Sequence, residues 1–125
     1  MEMIQANRVA PPAGHYSHAV VHDGLVYVSG QLPLRDGKIS LIEGTVEEQT
    51  AQAIENLRRI LEAAGSGLDR VIKTTVYVSD MSLWDRVNRE YARAFGGHKP
   101  ARSVVPTTAL HHGFCVEIEA IAAKG

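Results

Sequence analysis

The sequence has few of the features that mark a secreted, membrane-spanning or nucleic-acid-binding protein. Its single cysteine, Cys115, excludes an intrachain disulfide and fits a reducing compartment. No apolar run approaches the roughly 18 residues that span a bilayer, and the first residues lack the apolar run of a signal peptide. The formal net charge is −1, so no basic excess favours nucleic acid or anionic membrane as a partner. We therefore expect a soluble, cytoplasmic protein, for which small or neutral partners stay open.

What the chain does contain is enough apolar material for one core. Apolar residues make up 45% of the 125 residues, a length and composition that suit a single domain over residues 1–125. There is no internal repeat, low-complexity tract or linker that would divide it.

The first half of the chain predicts a loop, a hairpin, a tight turn and a helix. Pro11, Pro12 and Gly14 indicate a loop. Asp23-Gly24 separates two β-rich runs and is typical of a hairpin turn, and the sequence RDGK at residues 35–38 predicts a tight turn. Gly30 and Pro33 are expected to end the second strand.

Two helices follow from capping and periodicity. Thr45 and Glu48 have the spacing of a capping box, and the helix behind them should end near Gly65. A second helix is predicted to start near Ser82 and to end at Gly96-Gly97. Its apolar stripe consists of Trp84, Val87, Tyr91 and Phe95, and we interpret Trp84 and Tyr91 as core residues rather than a stacking platform.

The later strands complete an α+β pattern. The run RVIKTTVYVSD predicts a strand with Ile72, Thr74, Val76 and Val78 on one side. Two more strands end the chain, and Pro106 places the first of them at an edge or a bulge. Two helices cover only one face of such a sheet. The other face should carry Tyr77, Thr75, Cys115 and Ile121 beside Lys73, Glu117 and Glu119, a mixture that favours burial against a second copy of the chain in a homo-oligomer with clefts between subunits.

Three charged residues are candidates for chemistry. Glu117 and Glu119 point away from the helices in the last predicted strand, and a partly desolvated glutamate in a cleft can act as a general base. Arg102 can bind a carboxylate in a bidentate pair, which lysine cannot do. The alternative is that all three are ordinary surface or salt-bridge residues.

Other kinds of site find little support. The six histidines include the adjacent pair His111 and His112, but no metal-ligand spacing is present, and no glycine-rich phosphate motif occurs. Cys115 has no identified activating base, so a structural thiol is favoured. We expect neither a metal nor an organic cofactor.

Seven segments in order resemble the reactive-intermediate deaminase (Rid, YjgF-type) family: GHYSHAV, VYVSGQLPL, EEQTAQAIENLRRILEAAG, VIKTTVYVSDM, VNREYARAF, HKPARSVV and VEIEAIAA. The resemblance covers almost the whole chain. It implies a chorismate-mutase-like α+β fold with a mixed six-stranded sheet and two helices on one face, and a homotrimer with a barrel-like core and sites between subunits. It also implies cofactor-free hydrolysis of enamines and imines, such as 2-aminoacrylate and other 2-imino acids, to 2-oxo acids and ammonia. Such an activity would limit damage by reactive metabolites.

The resemblance also implies roles for individual residues. Arg102 would hold the substrate carboxylate, and Glu117 would position or activate water. Tyr16, the backbone of Gly30, Asn88 and Val104 would line the substrate pocket, whereas Glu119 receives no role. The sequence departs from the family pattern at His15, His18, Val104 and the His111-His112 loop, and these departures bear on the preferred substrate.

Two alternatives to a general imine deaminase stay open. One is a pathway-specific deaminase for an aminomuconate-like or aminoacrylate-like substrate. The other is a non-catalytic oligomer that binds a carboxylate ligand, another small molecule or a protein. The RNA-directed activities ascribed to some relatives belong to the same alternative.

Overall fold

The computed structural model of the protein describes residues 1–125. The chain forms a mixed six-stranded sheet with two helices packed on one face. Its elements are β1 (Glu2–Ile4), β2 (Ala19–His22), β3 (Leu25–Gln31), α1 (Val46–Ala63), β4 (Val71–Val78), α2 (Trp84–Phe95), β5 (Ala101–Pro106) and β6 (Val116–Ala123). The strand order is β1-β2-β3-β6-β4-β5, and only β4 and β5 run parallel. The α+β arrangement predicted from the sequence is confirmed.

Local signals explain where α1 begins and ends. The Thr45 side chain accepts from the Glu48 backbone N–H at 3.1 Å, and the Glu48 carboxylate accepts from the Thr45 N–H at 3.0 Å. At the other end Gly65 has φ +80°, a conformation that favours glycine, and the Ser66 N–H donates to the Leu61 carbonyl. The predicted capping box and glycine stop are both confirmed.

The predicted turns are present as well. Asp23 and Gly24 have φ values of 50° and 76°, the left-handed pair that joins β2 to β3 with the twist a hairpin needs. Asp36 and Gly37 have φ values of 52° and 74°, and Arg35 pairs with Lys38 across that turn.

The core lies between the helices and one face of the sheet. Its largest fully buried side chains include Leu57, Ile60 and Leu61 of α1, against Val26, Val76, Val78 and Ile118 of the sheet. Burial of each such side chain stabilises the fold by roughly 1.5–3 kcal/mol before the entropic cost of ordering it.

One part of the predicted β4 pattern is wrong. Thr74, Val76 and Val78 are buried as expected, but Ile72 is 47% exposed and Val71 takes the core position, with 2% exposure. The pairing of β4 with β6 shifts register between Val71 and Lys73. This bulge adds one residue and reverses the alternation before it, which a strict two-residue period does not anticipate.

The start of α2 is refined, β1 was not predicted, and the edge position of β5 is confirmed. Residues 81–83 form a 3₁₀ turn, in which the Asp80 carboxylate accepts from the Ser82 N–H, so α2 begins at Trp84 rather than near Ser82. β1 lies in a segment without a strand pattern; it pairs at the sheet edge with β2. β5 is the opposite edge strand, as Pro106 predicted.

The sheet face opposite the helices has no cover within one chain, and we call it the open face. It carries Tyr27 of β3, Thr75 and Tyr77 of β4, and Glu117, Glu119 and Ile121 of β6, which the strand registers place side by side. Tyr27 is 43% exposed. None of the helices is both long enough and apolar enough to cross a bilayer.

Candidate active site

Parallel pairing of β5 with β4 places Arg102 on the helix side of the sheet. Arg102 lies opposite Thr74, and Val104 lies opposite Val76; both β4 partners face the core. Because side chains alternate along a strand, Arg102 and Val104 face α2 at the edge of the core, where both are half-buried.

Three side chains of α2 surround the Arg102 guanidinium. Arg102 Nη1 donates to Asn88 Oδ1 at 2.9 Å. The guanidinium carbon lies 4.7 Å from the centre of the Tyr91 ring and 5.4 Å from that of Trp84, within the range of cation–π attraction. The planar group is thereby held in one orientation.

The aromatic contacts on Arg102 were not predicted. Tyr91 is a core residue, as expected, and its buried hydroxyl is hydrogen bonded to Thr74 Oγ1 at 2.7 Å. Trp84 is only half-buried and packs at the arginine instead of in the core. Trp84, Asn88 and Tyr91 are spaced by four and three residues and therefore share one helix face, a signal that could have identified this group.

The Arg102 guanidinium forms no salt bridge with any carboxylate of the chain. It borders an open cavity of about 410 Å³, which we call the Arg102 pocket and which is lined mainly by Asn88, Tyr91, Phe95, His98, Lys99 and Arg102. A half-buried, oriented and unpaired guanidinium is suited to binding an anion from solution.

Glu117 lies on the other side of the sheet. It is paired with Tyr77 of β4 and is half-buried on the open face. Gly30 is beside it, where the β3 ladder is irregular between Val28 and Gln31. A Cβ atom on Gly30 would lie 3.1 Å from Glu117 Cδ and closer still to Oε2, so a larger residue there would displace the carboxylate from its present position.

The surroundings of Glu117 favour its protonated form. Burial raises the pKa of the Glu117 carboxyl, the nearby Glu119 charge raises this pKa further, and His111 opposes both effects. Glu119 is not in a salt bridge. It accepts a hydrogen bond from the Tyr77 hydroxyl at 2.5 Å, and this bond raises the pKa of Tyr77. Glu117, in contrast, accepts no hydrogen bond from another side chain and is the freer of the two carboxylates.

Tyr16 lies in the loop before β2 and lines a second cavity together with Gly30, His111 and His112. Its ring is 51% exposed, and its hydroxyl accepts from the Ala13 N–H at 3.3 Å. We call this group, with Glu117 beside Gly30, the Glu117 cluster.

The two loop histidines that depart from the family pattern differ in environment. His18 is 2% exposed; its Nδ1 accepts from the Ala6 N–H at 2.9 Å, so Nε2 carries the proton donated to the Ala10 carbonyl at 2.7 Å. His18 thereby fixes the segment before Tyr16. His15 is exposed and does not line the cavity.

The remaining histidines and Cys115 form no second catalytic or metal-binding centre. No group of three or more His, Cys, Asp or Glu side chains is arranged to hold a metal ion. His111 and His112 stack on each other with their ring centres 3.8 Å apart. Cys115 is half-buried, and its backbone N–H donates to Gln49 Oε1 at 2.8 Å.

Within one chain, then, the predicted site residues form two separate groups. Arg102, Asn88 and Val104 lie on the helix side of the sheet, whereas Glu117 lies on the open face beside Gly30, which lines a cavity together with Tyr16. The sheet itself separates the arginine from the glutamate.

Comparison with known proteins identifies the family. The family model described as Endoribonuclease L-PSP matches residues 7–124. The chain belongs to this family. The resemblance to Rid, YjgF-type proteins noted in the sequence is thereby confirmed.

The chain is similar to relatives in the family over most of their length. The chain is 41% identical over 124 residues to the 2-iminobutanoate/2-iminopropanoate deaminase of Mus musculus, covering 99% of this chain and 92% of the relative. It is 40% identical over 123 residues to a RutC family protein of Pyrococcus horikoshii, covering 98% of both chains.

Solved structures of the family share the fold. The crystal structure of E. coli TdcF with bound serine has a TM-score of 0.92 and 31% identity, covering 100% of both chains. A yeast structure described as YEO7 has a TM-score of 0.95 and 37% identity, covering 99% of this chain and 98% of the other. The chorismate-mutase-like α+β fold implied by the resemblance is confirmed for the single chain.

Proposed function

We propose that this protein is a cofactor-free hydrolytic deaminase that converts small 2-imino acids, and the enamines in equilibrium with them, to 2-oxo acids and ammonia. The observation that carries the proposal is the unpaired Arg102 guanidinium, oriented by Asn88 and two aromatic rings at the edge of an open pocket. The name of the mouse relative, a 2-iminobutanoate/2-iminopropanoate deaminase, supports the same class of substrate.

The catalytic unit in this proposal is an oligomer. Arg102 and Glu117 lie on opposite sides of their own sheet, so one chain cannot place both on a small substrate. If the open face packs against other copies, the Glu117 cluster of one subunit can meet the Arg102 group of its neighbour. The partly apolar open face, with Tyr27, Tyr77 and Ile121, supports such packing, and the family resemblance favours a homotrimer.

Binding comes first in the proposed mechanism. The guanidinium of Arg102 donates two parallel hydrogen bonds to the substrate carboxylate and fixes the position of the adjacent imine carbon. An enamine substrate first tautomerises to the imine, whose carbon is electrophilic. Asn88 positions Arg102, since the Asn88 carboxamide oxygen accepts a hydrogen bond from Arg102 Nη1.

Water addition and ammonia release follow. Ionised Glu117 accepts a proton from water as the water oxygen bonds to the imine carbon, and it returns this proton to the imine nitrogen, which gives a neutral carbinolamine. Glu117 then accepts the proton of the carbinolamine hydroxyl group and passes it to the amino nitrogen. The C–N bond breaks as the C=O bond of the 2-oxo acid forms, and ammonia leaves. The raised pKa of the Glu117 carboxyl suits it to both roles, because a weaker acid is a better base.

The test is imine hydrolysis. An amino-acid oxidase generates 2-imino acids from several amino acids, and semicarbazide traps the imine that remains. We expect faster imine loss with the protein, no acceleration with Arg102→Ala, and partial activity with Arg102→Lys, which keeps the charge but not the planar fork. Arg89→Ala is the matched control, since Arg89 is an exposed arginine of α2 outside every salt bridge.

The outcomes separate the alternatives. Acceleration that survives Arg102→Ala would contradict the proposed role of the arginine. Acceleration confined to one unusual imine would favour a pathway-specific deaminase, a possibility motivated by Val104 and the His111-His112 loop. Ligand binding without turnover would favour a carboxylate-binding protein. The net charge of −1 disfavours RNA as a substrate, and incubation with single-stranded RNA tests that point directly.

A further inference from the structure

The cavity beside Arg102 carries more positive charge than one monocarboxylate needs. We propose that the Arg102 pocket accepts a 2-imino acid with a second carboxylate, which Lys99 binds while Arg102 binds the first. This inference rests on the proposed function and specifies its substrate class.

Every charged or titratable side chain at the edge of the pocket that can carry a charge at neutral or mildly acidic pH is basic. Its nine lining residues include Arg102, Lys99 and His98 and no aspartate or glutamate. Neither Arg102 nor Lys99 forms a salt bridge elsewhere in the chain. A pocket with two unpaired permanent cations and no acid attracts an anionic ligand.

The polar side-chain groups of the pocket that remain free are donors on Arg102, Lys99 and Asn88. The Tyr91 hydroxyl is occupied by Thr74 at 2.7 Å, and the Asn88 oxygen accepts from Arg102. His98 Nε2 lies 2.7 Å from the Val71 carbonyl and is held there. The unused N–H groups of Arg102, the ammonium of Lys99 and the amide N–H groups of Asn88 are therefore the donors left for a ligand, and the first two carry the positive charge.

The size and shape of the pocket fit a longer substrate than 2-aminoacrylate. Its volume of about 410 Å³ lies within the usual range for small-molecule sites, and Tyr91 and Phe95 provide apolar surface for a carbon chain. The planar arginine fork suits the carboxylate next to the imine, whose orientation matters for chemistry. The flexible lysine suits a carboxylate at the end of a side chain of variable length.

Relative hydrolysis rates test the inference. Imines from glutamate and aspartate are compared with those from leucine and methionine for the wild type, Lys99→Gln and Lys38→Gln. Lys38 is the matched control, because it is an exposed lysine in the turn at residues 35–38 and lines neither the Arg102 pocket nor the cavity at Tyr16. We expect Lys99→Gln to lower kcat/KM about fivefold for the acidic imines only, as suits one exposed charge pair, and Lys38→Gln to change neither class.

A binding measurement makes the inference independent of turnover. Calorimetry with 2-oxoglutarate, 2-oxobutanoate and inorganic phosphate measures the preference of the pocket directly. We expect the dicarboxylate to bind most tightly, and Lys99→Gln to remove that preference without weakening 2-oxobutanoate binding.

The possible outcomes distinguish failure of the inference from failure of the proposed function. Hydrolysis of neutral imines with no effect of Lys99→Gln on acidic ones would overturn the inference and leave the proposed function standing. Lysine-dependent binding of 2-oxoglutarate without any imine hydrolysis would overturn the proposed function and retain the ligand class. Phosphate binding as tight as 2-oxoglutarate binding would overturn the inference in favour of a general anion site.

Discussion

Arg102 Nη1 and Asn88 Oδ1 are 2.9 Å apart, and this hydrogen bond joins the edge strand β5 to the middle of α2. Tyr91 is attached to β4 through Thr74 and supports the same guanidinium from one side. The arginine is therefore positioned by secondary-structure elements that the core holds rigid, rather than by a loop. Such an arrangement lowers the cost of orienting the group when a ligand binds.

The first prediction concerns Asn88. Asn88→Ala removes the acceptor that fixes Arg102, and we expect kcat/KM for imine hydrolysis to fall about tenfold, mainly through a higher KM. Asn88→Asp keeps the shape but places a carboxylate on the guanidinium, where it competes with the substrate, so a larger loss is expected. Steady-state kinetics of both variants provide the measurement. Equal activity of Asn88→Asp and the wild type would contradict a substrate-binding role for Arg102.

The second prediction concerns the space beside Glu117. Gly30→Ala places a methyl group against the Glu117 carboxylate, and we expect at least a tenfold loss of kcat as that carboxylate is displaced. Gly97→Ala is the matched control, because a Cβ atom there meets nothing within 4 Å. Circular dichroism and melting curves verify that both variants fold. Full activity of a folded Gly30→Ala variant would rule out an essential position for Glu117.

The third prediction is a pH dependence. Because the pKa of Glu117 is raised by burial and by Glu119, activity that needs the ionised base should fall on the acid side at a pH above the usual glutamate value of about 4.3. His111 lowers this pKa when it is charged, so His111→Gln should move the acid limb to higher pH. The pH profile of kcat/KM and carbon NMR of the Glu117 carboxyl provide two independent readings. An unchanged Glu117 titration in His111→Gln would show that the two groups do not interact.

The raised pKa of the Glu117 carboxyl also affects the stability of the fold. A carboxyl with a folded pKa above its unfolded pKa contributes stability that is fully present below the unfolded pKa and is lost as the pH rises through the folded pKa. The ionised Glu117 therefore destabilises the fold at neutral pH. We expect Glu117→Gln to raise the melting temperature at pH 7, with a smaller gain near pH 4, while it abolishes hydrolysis. A melting temperature at pH 7 below that of the wild type would contradict this assignment.

The fourth prediction concerns the open face. Tyr27 and Ile121 are directly paired across β3 and β6. Ile121→Lys places a charge in the proposed interface, and we expect it to shift the oligomer toward monomers and to lower activity with the oligomer content. Ala51→Lys, at an exposed position of α1, is the control. Light scattering measures the mass, and an active Ile121→Lys monomer would refute a site shared between subunits.

Local signals account for most of the fold that could be predicted. The capping box at Thr45, the glycine stop at Gly65 and the turn at Asp23-Gly24 each depend on neighbouring residues, so they can be read from the chain. The alternation along β6 correctly separated Val116 and Ile118 from Glu117 and Glu119. The alternation along β4 failed at Val71 and Ile72, before a bulge that depends on pairing with β6.

For the site, too, the properties of single residues could be predicted, whereas the relationships between distant residues could not. The residues suited to chemistry could be identified without a structure, because the planar cation of Arg102 and the carboxylate of Glu117 are properties of single side chains. The order of the motifs likewise identified the family. The contacts of Trp84 and Tyr91 with the arginine, and the place of Gly30 beside the glutamate, arise only when the chain folds. The same is true of the placement of Arg102 and Glu117 on opposite sides of one sheet. Strand order and register set these relationships, and both depend on hydrogen bonds between segments far apart in the chain.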